Sequence, residues 1–251
     1  MRKRVGIVGE GPTDYLVLKS MIDQITGEEN EFLRIQPEQN MAGEYGNGWK
    51  GVWNWCESTG KEIDKIMNGI TPKIDVIVIQ MDGDVSRKEK EIHCNCMGVG
   101  CDYREKVYSP LRCKLVKSNE CPITMPCKCH ADTPEGYRKH IRQCILQWTG
   151  ICSARKDIII TVPCDSTDAW IMAAFDPRDG IERIENPWEN VLSKKKEYHG
   201  IRIPGHKKNN RVYQNLVRGL EKQWKQVVDL CESAKIFKNS IQEAWELTEI
   251  I

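Results

Sequence analysis

The chain lacks any run of about 18 apolar residues, the length a membrane-spanning helix requires, so no span is expected. Only four residues separate Met1-Arg2-Lys3-Arg4 from Gly9-Glu10, too few for the core of a secretion signal. A cytoplasmic protein is the expectation. A surplus of either charge is also missing: 37 Lys and Arg against 36 Asp and Glu leave +1, which decides nothing about nucleic acid. There is no internal repeat and no low-complexity tract. Gly9-Glu10-Gly11-Pro12 lacks the Lys-Ser/Thr ending of a phosphate-cradling P-loop, and no ATPase motif is present.

What is present is an acidic constellation in two places. Glu10-Gly11-Pro12-Thr13-Asp14 directly follows the apolar run Val5 to Val8, and Asp82-Gly83-Asp84 directly follows Ile74 to Met81. Each apolar run reads as a buried strand, the second rich enough in β-branched residues for a central parallel one. In open α/β sheets, chemistry collects at the carboxyl ends of parallel strands. Glu10, Asp14, Asp82 and Asp84 are therefore expected to meet at one sheet edge. Residues i and i+4 share a helix face, which sets Asp14 beside Glu10. Carboxylates crowded together repel unless cations sit among them, and hard oxygen donors suit Mg²⁺ or Mn²⁺. The blander readings are a Thr13 helix cap and an Asp-Gly turn at a strand end.

Periodicity supplies the frame. Strands are expected at 4–9, 32–35, 74–81 and 157–162, and helices at 13–25, 52–68, 135–148 and 169–175. Residues 40–51 are Gly-rich and read as a loop, and 212–247 read as two amphipathic helices. Alternating strands and helices indicate an α/β fold, a parallel sheet with helices on both faces. The expected organisation is a core of 1–84 and 135–200, an insert at 85–134, and a basic helical region at 201–251. Residues 194–225 carry ten Lys and Arg against two Glu, a local surplus of eight positive charges. That segment is either a solvated helix face or a surface for nucleic-acid phosphates.

The insert has no sustained period, and a structureless loop of that length is unusual in a compact domain. It holds His93, Cys94, Cys96, Cys101, Cys113, Cys121, Cys127, Cys129 and His130, with seven of the twelve cysteines. Thiolate and imidazole are the preferred ligands of Zn²⁺, in sets of four, so one or two structural zinc sites are expected. Binding would contribute on the order of 10 kcal/mol of folding energy where no core exists. Free or disulfide-paired cysteines and an iron–sulfur cluster are the alternatives. Cys56, Cys144, Cys152, Cys164 and Cys231 read as small buried hydrophobes.

A strand, then Glu-Gly-x-Thr-Asp opening a helix, then a strand ending in Asp-x-Asp, resembles the TOPRIM domain. Within that superfamily the chain is similar to OLD-family nucleases and to small TOPRIM-like proteins found near bacterial defence genes. The resemblance covers residues 4–26 and 74–84, and extends to Pro163-Cys164-Asp165-Ser166-Thr167-Asp168-Ala169-Trp170-Ile171-Met172. The cysteine-rich insert departs from a minimal TOPRIM domain. The resemblance implies a nuclease with Glu10 as general base or first metal ligand and Asp82 and Asp84 on the same metal. It implies Asp14 near a second metal that Asp165 or Asp168 would complete, and a lysine from the C-terminal region, Lys207 or Lys208, at the transition state. DNA is the expected substrate, with RNA open, in a setting of phage defence and with a partner ATPase or other defence protein. Asp168 could instead cap the helix at 169–175.

Two other function classes stand beside this one. One is a non-catalytic, zinc-stabilised nucleic-acid or protein adaptor, suggested by the insert and by Trp49 and Trp53. The other is a nucleotidyl- or glycosyltransferase holding a nucleotide's metal with Asp82 and Asp84.

Overall fold

The computed structural model describes residues 2–38, 48–87, 131–151, 155–206 and 208–246. The expected zinc segment, Cys152 and Lys207 lie outside these residues.

The centre is a four-stranded parallel sheet: β1 (Arg4–Val8), β2 (Glu31–Gln36), β3 (Val76–Gln80) and β4 (Ile158–Thr161), in the order β2-β1-β3-β4. β3 is buried along its whole length, which is why it reads as an uninterrupted apolar run. Its residues alternate between two cores. Val76 and Val78 join one with Val5, Ile7 and Ile159, whereas Ile77 and Ile79 join the other with Val8, Ile158 and Ile160. The helices divide accordingly.

On the first face lie α1 (Pro12–Thr26), α6 (Asp168–Phe175) and three C-terminal helices, α8 (Asn210–Lys222), α9 (Trp224–Leu230) and α10 (Glu232–Trp245). On the second lie α2 (Trp49–Ser58), α3 (Ile63–Gly69) and α5 (Pro134–Thr149). Two short helices, α4 (Asp84–Arg87) and α7 (Pro187–Asn190), belong to the loops. The α/β architecture with a helical C-terminal region follows from this arrangement, and no described helix is long and apolar enough to cross a membrane.

Several boundaries differ from the sequence reading. The helix expected at 52–68 starts at Trp49, inside the expected loop, and breaks at Thr59-Gly60 into α2, a 3₁₀ turn and α3. Gly60 packs against α5 there, where a Cβ would stand 2.9 Å from Thr149 Cγ2. The expected C-terminal pair is three helices, divided at Gln223 and Cys231, because residue spacing does not reveal a kink between two amphipathic runs. A small antiparallel hairpin, β5 (Glu197–Tyr198) with β6 (Ile201–Arg202), was not expected from the sequence. Its turn, His199-Gly200, has φ of 49° and 80° at the two residues, the left-handed pair of a tight hairpin.

Candidate functional site

β1 and β3 are adjacent and parallel, with Val8 opposite Ile79, so the residues that follow each strand leave the sheet side by side. Pro12 occupies the first turn of α1, where a missing N–H is harmless. The helix cap is Gly11, with no side-chain capping bond, so Thr13 is not the cap. Asp14 folds back so closely that a Cβ on Gly11 would stand 3.0 Å from its Oδ2. The loop after β3 runs beside the loop after β4: Gly83 N–H donates to Pro163 O at 2.9 Å and Asp84 N–H to Asp165 O at 3.2 Å. A Cβ on Gly83 would meet Pro163 O at 3.0 Å, so glycine permits this approach.

The acidic side chains are linked by specific bonds. Asp82 N–H donates to Glu10 Oε1 at 2.7 Å. Gln80, fully buried, donates through Nε2 to Asp82 Oδ1 at 2.7 Å and accepts the Glu10 N–H at 3.0 Å. Thr167 Oγ1 donates to Asp14 Oδ1 at 2.6 Å. Lys208 Nζ reaches Asp168 Oδ2 at 2.6 Å, and Tyr213 OH donates to Asp168 Oδ1. Lys208 also lies over the Trp188 ring at 5.7 Å. Asn209 caps α8 through Val212 N–H at 2.9 Å, which starts that helix immediately after Lys208. The opening of α2 lies here too, since a Cβ on Gly48 would be 3.7 Å from Glu10 Oε2.

Electrostatics follow from the crowding. Burial, then Asp84 and Asp14, push the Glu10 carboxyl well above its ordinary range, against the pull of the Asp82 N–H. Burial, then Glu10, Asp14 and Asp84, do the same to Asp82. Asp14 is raised by burial, with Lys208 and the Thr167 hydroxyl opposing. Burial would lower Lys208, but Asp168, Asp14 and Asp82 outweigh it and hold the ammonium charged. Loss of solvation and like charge dominate the carboxyl groups, and the opposite charge dominates the lysine.

The structure therefore brings Glu10, Asp14, Asp82, Asp84, Asp168 and Lys208 into one neighbourhood. Asp165 is engaged elsewhere: its backbone is left-handed, with φ 61°, and its Oδ2 accepts the Asn186 N–H at 2.7 Å. Asp168 is the first residue of α6 and makes no cap; it anchors Lys208 instead. Among the described residues, no three His, Cys, Asp or Glu side chains are grouped so as to hold a metal ion. Glu10, Asp14 and Asp168 each accept internal hydrogen bonds. The donor set itself is all oxygen and short of positive charge, which fits a hard divalent cation.

Comparison with family models, with curated proteins and with solved structures returns no match. The TOPRIM resemblance thus rests on the motifs.

Sequence reasoning missed Gln80, Thr167, Tyr213 and Trp188. Gln80 had a signal, being the lone amide in the run Ile74 to Met81. Tyr213 had none, because its partner Asp168 is 45 residues away.

Proposed function

We propose that this chain is a Mg²⁺- or Mn²⁺-dependent nuclease of TOPRIM type that hydrolyses phosphodiester bonds in DNA, with RNA as the second substrate the same chemistry admits. The observation that carries this reading is the meeting of Glu10, Asp14, Asp82 and Asp84 beside the ammonium of Lys208, with Glu10 and Asp82 pushed far up by burial and mutual repulsion. Glu10, Asp82 and Asp84 would hold the cation, with Asp14 at its side. A bound divalent ion supplies Lewis-acid polarisation of a phosphoryl oxygen and of the attacking water.

The chain's own groups do the rest. Gln80 sets the mutual orientation of Glu10 and Asp82. Lys208, held by Asp168 and Tyr213, offers positive charge to the phosphoryl oxygens as they gain negative charge. The exposed Lys194, Lys195, Lys196, Arg202, Arg211 and Arg218 make no ion pair with described residues and are suited to substrate phosphates. Structural zinc in the segment 93–130 belongs to the same proposal, as do a role in phage defence and a partner ATPase or defence protein. The last two rest on the resemblance alone.

A second reading is favoured by the density of Cys and His in residues 93–130. On that reading the chain is a non-catalytic, zinc-stabilised adaptor. The deciding experiment incubates wild type and Asp82→Ala with supercoiled plasmid and single-stranded oligonucleotides in Mg²⁺, Mn²⁺ or EDTA. Metal-dependent cutting by wild type alone is the expected result. No cutting by wild type, together with no Mn²⁺ binding by calorimetry, would establish the adaptor instead.

A further inference from the structure

The sheet ends at β4, an open edge among the described residues. Among the described residues β4 pairs only with β3. Ile77 N–H donates to Asp157 O at 2.9 Å and Met81 N–H to Thr161 O at 3.3 Å, in the register Ile77 opposite Ile158. Asp157, Ile159 and Thr161 therefore direct their backbone groups at β3. In a parallel ladder the intervening residues turn both N–H and C=O the other way. These are Ile158, Ile160 and Val162, only 6–7% exposed. Poorly solvated backbone groups without partners are costly, and an open edge is a template for another strand.

Beside this edge runs a groove of about 550 Å³ between α5 and α10, lined by Ile160, Thr161 and Val162. Thr161 Oγ1 is buried with no hydrogen-bond partner among the described residues, a further unmet polar group on the same wall. Ile236 of α10 lines the groove and is one of the exposed large hydrophobic residues of the molecule. The α5 wall is basic. Arg138 is paired with Glu182 at 3.5 Å and Lys139 with Glu135 at 2.5 Å, whereas Arg142 makes no ion pair with a described residue. The acids on the lining are Glu135 and Glu232.

We propose that this groove binds an extended peptide segment of a partner protein, which adds a fifth strand to β4 and sets an acidic side chain against Arg142. The alternating backbone demand at Ile158, Ile160 and Val162 calls for an extended main chain rather than a compact ligand, the mode of strand addition to a sheet edge. Apolar side chains at every second position would cover Ile236 and Val162. A second copy of this chain is a poorer occupant, because its β4, Ile158–Thr161, carries no acidic side chain to set against Arg142. The inference is independent of the nuclease reading.

The test pans a displayed library of random linear peptides on the full chain and on Arg142→Glu. Hydrogen exchange of the Ile160 and Val162 amides is then followed with and without the selected peptides. The expected result is enrichment of peptides alternating apolar and acidic residues that slow exchange at both amides. Arg142→Glu should weaken them at least tenfold and select basic peptides instead. An unchanged melting temperature shows that the variant folds. Three results would overturn the proposal: no enrichment, amides already protected in the free chain, or a concentration-dependent dimer that Arg142→Glu dissolves.

Discussion

At the amino ends of the strands, Arg4 N–H donates to Asp75 Oδ2 at 2.9 Å and its guanidinium lies 3.1 Å from Glu31, while Arg155 spans Asp64 and Asp157. At the carboxyl ends of β1 and β3, Glu10, Asp14, Asp82, Asp84 and Asp168 are gathered around one described lysine, Lys208. The Arg155 guanidinium holds Asp157 below the ordinary carboxylate range, whereas burial and neighbouring acids raise Glu10 and Asp82. One sheet thus has an end where charge is balanced inside the fold and an end where it is not. A fold gains nothing from unbalanced buried charge, so that excess is a functional-site signature.

The sharpest way to break the contrast is to remove an acid from the unbalanced end. Asp82→Asn should lower metal-dependent cleavage by about 10³-fold, within the range for groups acting directly at a reaction centre. Its melting temperature in EDTA should stay level or rise, since a repelling charge is gone. A cleavage rate equal to wild type would remove Asp82 from the site. Lys208→Met comes next, with an expected loss of about 10²-fold in kcat and partial recovery in Lys208→Arg. Tyr213→Phe keeps the ring but frees one Asp168 oxygen, and a loss of about tenfold is expected, as for groups that orient a functional neighbour. Rates unchanged in Tyr213→Phe would leave Tyr213 a purely structural residue.

The two ends should also answer pH in opposite directions. A carboxyl with a raised folded value contributes stability fully below its unfolded value, about 4, and that contribution is lost as pH rises through the folded value. Metal-free protein should therefore lose stability above about pH 4 through Glu10 and Asp82, and Asp82→Asn should flatten the loss. Asp157 is depressed, so its contribution is present above about pH 4 and lost as pH falls through its folded value. Thermal melts across pH, in wild type, Asp82→Asn and Asp157→Asn, separate the two. The smallest effect is expected from Asp64→Ala: its pair with Arg155 is solvent-exposed, so the cost is under about 1 kcal/mol and disappears in high salt.

Much of the frame was legible in the chain. β3 and β4 were readable because strands buried on both faces need unbroken apolar, β-branched runs. The helix after Glu10 announced itself through Pro12 and the spacing of Leu16, Val17, Met21 and Ile22. The joining of Glu10 to Asp82 was readable because adjacent parallel strands release their ends together. The breaks at Gly60, Gln223 and Cys231 were not, since amphipathic spacing continues across a kink and only packing, such as Gly60 on Thr149, places it. Asp165 and Asp168 looked equivalent in sequence yet differ in role, because a left-handed turn at Asp165 directs its carboxylate to the Asn186 N–H while Asp168 opens α6 beside Lys208.

The linear chain by itself determined which residues could carry the chemistry and that they would follow two buried strands, because strand periodicity and acidic loop motifs are local properties. Tertiary structure alone decided that Tyr213 and Asp168 would hold Lys208 against the acids, and that β4 would pair with β3 alone among the described residues. Those outcomes depend on how α8 and α10 pack across the sheet, and long-range packing of helices leaves no mark in residue spacing.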